Sequence, residues 1–280
     1  MDIHREDKEG YKMAEKYAKI GEYTAVEAMV INAARFLKNF DGKRGLIGTG
    51  LPLVATQLAK MLYCPNMIIF VETGQADAKP EELPISIMDS RLTYGSSWQM
   101  GDPEGLFPLS RREIDFGFIG GAQIDKYGNV NSTFIGGDYN KPAKRLAGTA
   151  GAVDIGVFAK TTVTLMAHQK RRVVEKVDYL TTPGWMVKRW PGGELVRREE
   201  LGMPGGPTAF ISTLGIMKYD DNSRIMYVDK IFPGISSDDI KNNTGFDIDL
   251  SRASENQQLL LEEIKILREK IDPLNIYGMR

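Results

Sequence analysis

The sequence predicts an α/β domain: an open, largely parallel sheet with flanking helices. Met67-Ile68-Ile69-Phe70-Val71 is a continuous apolar run of branched and aromatic residues, the pattern of a strand buried on both faces. Gly45-Leu46-Ile47-Gly48 is a second short buried run, and Thr49-Gly50-Leu51-Pro52 turns it into a helix from about Pro52 to Leu62 with proline at a favoured first position. The chain has 280 residues and is 42% hydrophobic, enough for a sizeable core.

The remaining elements follow in order. Thr24-Ala25-Val26-Glu27 reads as a capping box, with Val26, Val30, Ala33 and Leu37 behind it at helical spacing. From Gln75 to Arg112, proline, aspartate and serine punctuation predicts a long loop region with one or two short helices. Asp115 to Gly120 reads as the next strand, followed by a hairpin-like excursion from Gln123 to Asn131 about the turn Tyr127-Gly128-Asn129. Gly148-Thr149-Ala150-Gly151-Ala152 is a small-residue loop, with a helix starting after it between Val153 and Ala159. Thr161–Ala167 and Arg172–Leu180 read as strands joined by a basic turn at His168-Gln169-Lys170-Arg171. Proline and glycine then punctuate an irregular stretch from Thr182 to Pro207, before a final hairpin. A closing helix is expected from about Ser254, capped by Ser254 and Gln257, with Leu260, Ile264, Leu267 and Ile271 on one stripe. No repeat or linker divides the chain, so residues 1–280 read as a single domain.

Composition narrows the function. Thirty-six basic and thirty-seven acidic residues give a net charge of −1, which argues against bulk attraction to nucleic acid or an anionic membrane. Cys64 is the sole cysteine, and His4 and His168 are the only histidines, so one chain can build neither a disulfide nor a closed zinc site of thiolates and imidazoles. Met1 to Lys19 is charged and polar, without the apolar core of an export signal, and no stretch nears the ~18 apolar residues of a membrane span. The expectation is a cytoplasmic, metal-free protein.

The first candidate for chemistry is Glu72, where the run Met67–Val71 ends in a carboxylate followed by Thr73-Gly74. A carboxylate there serves as a solvated charge, a salt-bridge partner or a working group, and the stretch alone leaves all three open. The amides opening the helix after Gly50 could hold an anion or an oxyanion. Gly48-Thr49-Gly50, with Glu72 downstream, imitates a dinucleotide-binding fingerprint, but Leu53 fills the slot of the third glycine and Pro52 removes an amide that a pyrophosphate would use. His168 has no acid beside it in sequence and reads as a polar structural residue, and the basic turn after it as solvated.

Several blocks in order give the chain a resemblance to the family I CoA-transferases, specifically to β chains of the glutaconate type, over nearly its whole length. They are Gly48–Pro52, Val71–Gly74, Phe118–Asp125 continuing through Tyr127–Thr133, Lys170–Arg172, Thr182–Trp185 and Asn243–Asp247. The family's nucleophilic glutamate falls on Glu72, with Thr73 replacing the usual serine. Ala150 stands where the matching family loop has glycine. The charged N-terminus is longer than the resemblance accounts for.

The resemblance implies the CoA-transferase type of α/β fold and ping-pong transfer of CoA between a short, dicarboxylic acyl-CoA such as glutaconyl-CoA and a second acid such as acetate. The covalent intermediate is a glutamyl-CoA thioester on Glu72. Backbone amides in glycine-rich loops would bind the oxyanion or CoA, with Gly48, Gly50, Gly120, Gly121, Ala122, Gly148 and Gly151 as candidates. CoA enters as a substrate and no cofactor is permanently bound. The implied partner is a CoA-transferase α subunit in a heteromer, with higher oligomers. Only Val71, Thr73 and Gly74 flank Glu72, so a second carboxylate on the substrate would be met by hydroxyls or amides, largely from that partner. Relatives that decarboxylate or hydrolyse CoA esters lack the glutamate and form the alternative, together with a non-catalytic regulatory subunit.

Overall fold

The computed structural model describes residues 16–101 and 107–280. The N-terminal extension before Lys16, and His4 with it, lies outside the described residues. Ten strands form one sheet: β1 (Arg44–Leu46), β2 (Ile68–Phe70), β3 (Gln75–Ala76), β4 (Trp98–Gln99), β5 (Phe116–Ile119), β6 (Thr161–Met166), β7 (Gly206–Ser212), β8 (Gly215–Tyr219), β9 (Met226–Ile231) and β10 (Ser254–Glu255). Their spatial order is β10-β9-β8-β7-β6-β5-β1-β2-β3-β4. The five central strands β7, β6, β5, β1 and β2 are parallel; β8 and β9 on one side and β3 and β4 on the other extend them through antiparallel pairs, and the edge strand β10 pairs parallel with β9.

Alternation along the central strands sorts side chains onto two helical layers. Phe116, Phe118, Val163, Leu165, Ala209 and Ile211 join the core beneath α1 (Ala25–Phe36), α2 (Leu51–Leu62) and α5 (Leu261–Ile266). On the opposite face, Phe70, Ile119, Met166 and Phe210 pack in the layer that contains α3 (Ala152–Phe158) and α4 (Ser237–Asn243). Each large side chain buried this way contributes roughly 1.5–3 kcal/mol. The capping box read from the sequence starts α1, with Thr24 Oγ1 accepting from Glu27 N–H at 3.1 Å and Glu27 from Thr24 N–H at 2.8 Å.

From β1 the chain crosses through α2 to β2 on one side, then returns to place β5 on the other side of β1. The connections diverge between β1 and β5, and the carboxyl ends of strands at such a switch point are the position where open α/β sheets bind ligands. Gly48–Gly50, Glu72 and Gly120–Ala122 all follow carboxyl ends of these strands.

Several elements differ from expectation. Ile68 is 38% exposed, so β2 is not sheltered on both faces along its length. The region from Gln75 to Arg112 includes the short strands β3 and β4 besides helical turns at Ser90–Thr93 and Phe107–Ser110. Arg172–Leu180 is not a strand: Ile124 N–H donates to Arg172 O, Val174 N–H to Ile124 O and Gly245 N–H to Val173 O, so its bonds go to separate partners rather than one ladder. The irregular stretch before β7 folds a small hairpin, Met186–Lys188 against Leu195–Arg197, and the final hairpin is a three-stranded meander, β7-β8-β9. Ser254 lies in the edge strand β10 instead of capping a helix; α5 starts at Leu261, with Glu263 accepting from Leu260 N–H at 2.7 Å. The stripe of Ile264, Leu267 and Ile271 is buried in the core as read.

Candidate active site around Glu72

Strand β2 does not simply stop before Glu72; it folds back. Phe70 pairs antiparallel with Ala76, Val71 N–H donates to Gln75 O at 2.9 Å, and Gly74 N–H donates to Val71 O at 2.9 Å. Glu72-Thr73-Gly74 is therefore a three-residue hairpin loop whose last position takes a left-handed backbone. Gly74 has φ 94°, and a Cβ there would lie 2.2 Å from Met100 O. Thr73 Oγ1 donates to Gln75 Oε1 at 2.6 Å, with Ile87 O also within its reach at 3.0 Å. Glu72 thus projects from a corner fixed on both sides, a more rigid mount than a strand end.

The half-buried carboxylate of Glu72 reaches the start of α3, where its Oε2 accepts from Gly151 N–H at 3.2 Å. Glycine here leaves room for the carboxylate: a Cβ on residue 151 would stand 2.8 Å from Glu72 Cδ and displace it. The loop before it is tied to the segment after the Gln123–Asn131 ribbon, because Gly148 N–H donates to Ser132 O at 2.9 Å and Ser132 Oγ to Gly148 O at 2.7 Å. Ala150 takes φ 41°, so this non-glycine residue bears the left-handed conformation that glycine adopts freely.

Burial pushes the Glu72 carboxyl above its ordinary range; the Gly151 N–H opposes this and the charge of Asp154 reinforces it. Among the described residues no lysine or arginine pairs with Glu72. A carboxylate that is partly stripped of water and has no cation keeps its lone pairs available as a nucleophile.

The seven small residues read from the sequence divide by what their N–H groups do. Those of Gly50, Ala122, Gly148 and Gly151 are engaged, with Tyr277 Oη at 3.1 Å, Asn131 O at 2.8 Å, Ser132 O at 2.9 Å and Glu72 itself at 3.2 Å. The N–H groups of Gly48, Gly120 and Gly121 have no partner among the described residues. They sit just beyond the carboxyl ends of the adjacent strands β1 and β5. Beyond Gly121, Arg172 Nη1 approaches Gly121 O at 3.4 Å.

Other candidates lie apart. His168 is buried, its ring nitrogens 3.0 Å from Ser212 Oγ and 3.0 Å from Thr244 Oγ1, and burial pushes its pKa down to about 4. It is a neutral structural histidine, as its sequence context suggests. Lys170 and Arg171 are exposed on their turn. Leu53, in the slot of the absent third glycine, is buried in the core. A cavity of about 820 Å³ between Arg44, Phe70, Trp98 and Arg111 borders the base of the hairpin at Phe70 and Ala76, but neither Glu72 nor Gly151 lines it. Gly120, Thr149 and Ala150 are exposed, so the carboxylate stands at the back of an open shelf. Sequence reading missed Asp154 and Tyr277: an acid in a first helical turn is commonplace, and Tyr277 meets Gly50 across 227 positions.

Among the described residues no group of side chains suits a metal ion, and no helix is long and apolar enough to cross a membrane. The family model described as Coenzyme A transferase matches residues 26–243. The chain is 41% identical to the B subunit of the glutaconate CoA-transferase of Acidaminococcus fermentans over 262 residues, 90% of this chain and 93% of that one. It is 37% identical to the B subunit of the 3-oxoadipate CoA-transferase of Pseudomonas knackmussii over 228 residues, 81% of this chain and 84% of the other. The crystal structure of the Acidaminococcus fermentans glutaconate coenzyme A-transferase superposes with a TM-score of 0.81 at 37% identity, covering 91% of this chain and 97% of that chain. The decarboxylase AibA/AibB superposes with a TM-score of 0.75 at 22% identity, covering 92% and 99%, a likeness of fold alone.

Proposed function

The chain belongs to the coenzyme A transferase family, and on that premise we propose that it is the β chain of a heteromeric enzyme in which Glu72 carries CoA between two carboxylic acids. The observation that carries this reading is the Glu72 carboxylate at a fixed hairpin corner, half-buried and unpaired with any cation among the described residues, with partnerless backbone N–H groups at the neighbouring strand ends.

A Glu72 oxygen attacks the acyl-CoA carbonyl; the new C–O bond forms, the C–S bond breaks, and an acyl-glutamyl anhydride and CoA thiolate result. The thiolate attacks the glutamyl carbonyl, expelling the first acid as its carboxylate and leaving a glutamyl-CoA thioester. A second carboxylate reverses both steps, releasing a new acyl-CoA and free Glu72. No net proton is consumed. Each tetrahedral intermediate develops an oxyanion, for which N–H groups of Gly48, Gly120 and Gly121 are suitably unengaged donors. CoA is a substrate, and the cycle needs no resident cofactor.

The anhydride hydrolyses if water reaches it, yet Glu72 stands on an open shelf in this chain. An α chain closing over the shelf supplies the missing wall, which accords with the names of the relatives as subunits. By the same relatives the acyl group is a short dicarboxylic acid, and its far carboxylate finds its hydroxyl or amide partners largely on the α chain. Such an enzyme works where acyl-CoA esters are made, in the cytoplasm. Initial rates of the complex with varied acyl-CoA at several fixed acid concentrations should give parallel double-reciprocal lines. Intersecting lines would mean a ternary complex and no covalent carrier.

A further inference from the structure

Residues 273–280 fold back as a clasp. Asp272 accepts from Ile276 N–H at 2.7 Å, Asn275 Oδ1 accepts from Met279 N–H at 2.9 Å, and the Arg280 guanidinium donates to Asp272 O at 2.7 Å. The clasp touches the first turns of two helices. At α1, the N-cap Thr24 Oγ1 donates to Met279 O at 2.5 Å. At α2, the N-cap Gly50 N–H donates to Tyr277 Oη at 3.1 Å, and the Tyr277 hydroxyl in turn donates to Pro84 O.

That second contact leads to Glu72. Pro84 begins a short segment whose other end, Ile87 O, lies 3.0 Å from Thr73 Oγ1, whose hydroxyl it shares with Gln75 Oε1 at 2.6 Å. Thr73 is the middle residue of the hairpin loop that carries Glu72. The phenol therefore links the loop bearing the unengaged Gly48 N–H to the Pro84–Ile87 segment beside the Glu72 corner. A phenol suits this place because one oxygen accepts and donates at the end of a rigid arm. Its ring packs against the core independently of the hydroxyl.

We propose that Tyr277 is a positioning residue for the transfer reaction, its hydroxyl holding the Gly48–Gly50 loop and the Glu72 hairpin at a fixed separation through Pro84–Ile87. The proposal rests on the CoA-transferase reading of Glu72. It makes the C-terminal clasp part of the catalytic geometry, although Tyr277 touches no substrate.

The test is Tyr277→Phe in the intact complex with its partner chain, which keeps the ring packing and deletes only the bridge. The expected result is a kcat lower by about tenfold with KM for acyl-CoA within about twofold, because displaced reacting groups cost rate more than binding. Amide hydrogen exchange should quicken in peptides covering 47–51, 71–75 and 84–88 while the rest of the chain is unchanged. A kcat within about twofold of wild type, or a loss matched by an equal loss of folded protein with exchange at 71–75 unaltered, would overturn it. Thr73→Val cuts the other end of the same brace; if the two act through one segment, the double variant loses less than the product of the single losses. Should too little of the Tyr277→Phe variant fold, Thr73→Val alone must reproduce the kcat loss and faster exchange at 84–88, or the proposal falls. If the wild-type complex transfers no CoA, the reading of Glu72 fails instead, and the exchange measurement still decides whether the bridge braces the hairpin.

Discussion

Replacing Glu72 with glutamine preserves volume and leaves the Gly151 N–H an acceptor, while removing the charge and the nucleophilic oxygen. On the stability side, the Gly151 bond changes from charge-assisted, roughly 1.5–3 kcal/mol, to neutral, roughly 0.5–1.5 kcal/mol, a loss of about 1 kcal/mol. Acting oppositely, a carboxyl whose folded pKa is raised stabilises the fold only when protonated, so the ionised Glu72 is a burden at neutral pH and glutamine relieves it. The two terms oppose each other, and the net change should stay within about 1 kcal/mol, or a Tm shift under about 4 °C for a chain of this size. Catalysis has no such compensation. An amide cannot form the anhydride, so the CoA-transfer rate should fall by more than about 10⁴-fold. Initial rates of the purified complex, with thermal unfolding at pH 7 and pH 5, measure both. A variant that transfers CoA within tenfold of wild type would refute the nucleophile, and a Tm fall of 10 °C would refute the placement of Glu72 as a group tolerated by the fold rather than needed by it.

Because burial and Asp154 both raise the Glu72 carboxyl, the acid limb of kcat/KM should lie above the ordinary carboxylate range, and Asp154→Asn should move it down; an upward shift would contradict the assignment. Gly151→Ala brings a Cβ to within 2.8 Å of the Glu72 carboxyl carbon, so the side chain must swing away and the rate should drop by about 10²-fold; with φ at −78° the backbone itself is unstrained, and unfolding should hardly change. His168 titrates near 4 when folded against an ordinary 6.5, so its contribution to stability is present above pH 6.5 and is lost as pH falls toward 4. That loss is at most about 3 kcal/mol, and His168→Gln should flatten this part of a denaturant-unfolding profile.

The central strands are legible because each is a short run rich in aromatic or β-branched residues, as Phe116–Ile119 and Thr161–Met166 illustrate. Glu72 is legible as a carboxylate beyond such a run, but its hairpin corner is not, since Glu-Thr-Gly marks a three-residue turn only if the short strand β3 pairs back. Arg172–Leu180 misleads because Val173, Val174 and Val177 supply the composition of a strand without its two-residue period. Ser254 misleads because a serine three residues before glutamine suits a cap, while Lys230 Nζ donates to its hydroxyl at 2.8 Å in the edge strand. The sorting of the glycine N–H groups depends on distant partners such as Asn131, Ser132 and Tyr277, and no local pattern reports these.

Transfer by this route turns on a covalent bond to one side chain. The decisive experiment incubates the intact complex with acyl-CoA in the absence of an acceptor acid, then digests it and weighs the peptide that spans Met67 to Arg91. A glutamyl-CoA carrier requires a gain equal to CoA less one water, located on Glu72 and discharged when an acceptor acid is added. An unmodified peptide from a complex that is turning over acyl-CoA would contradict it.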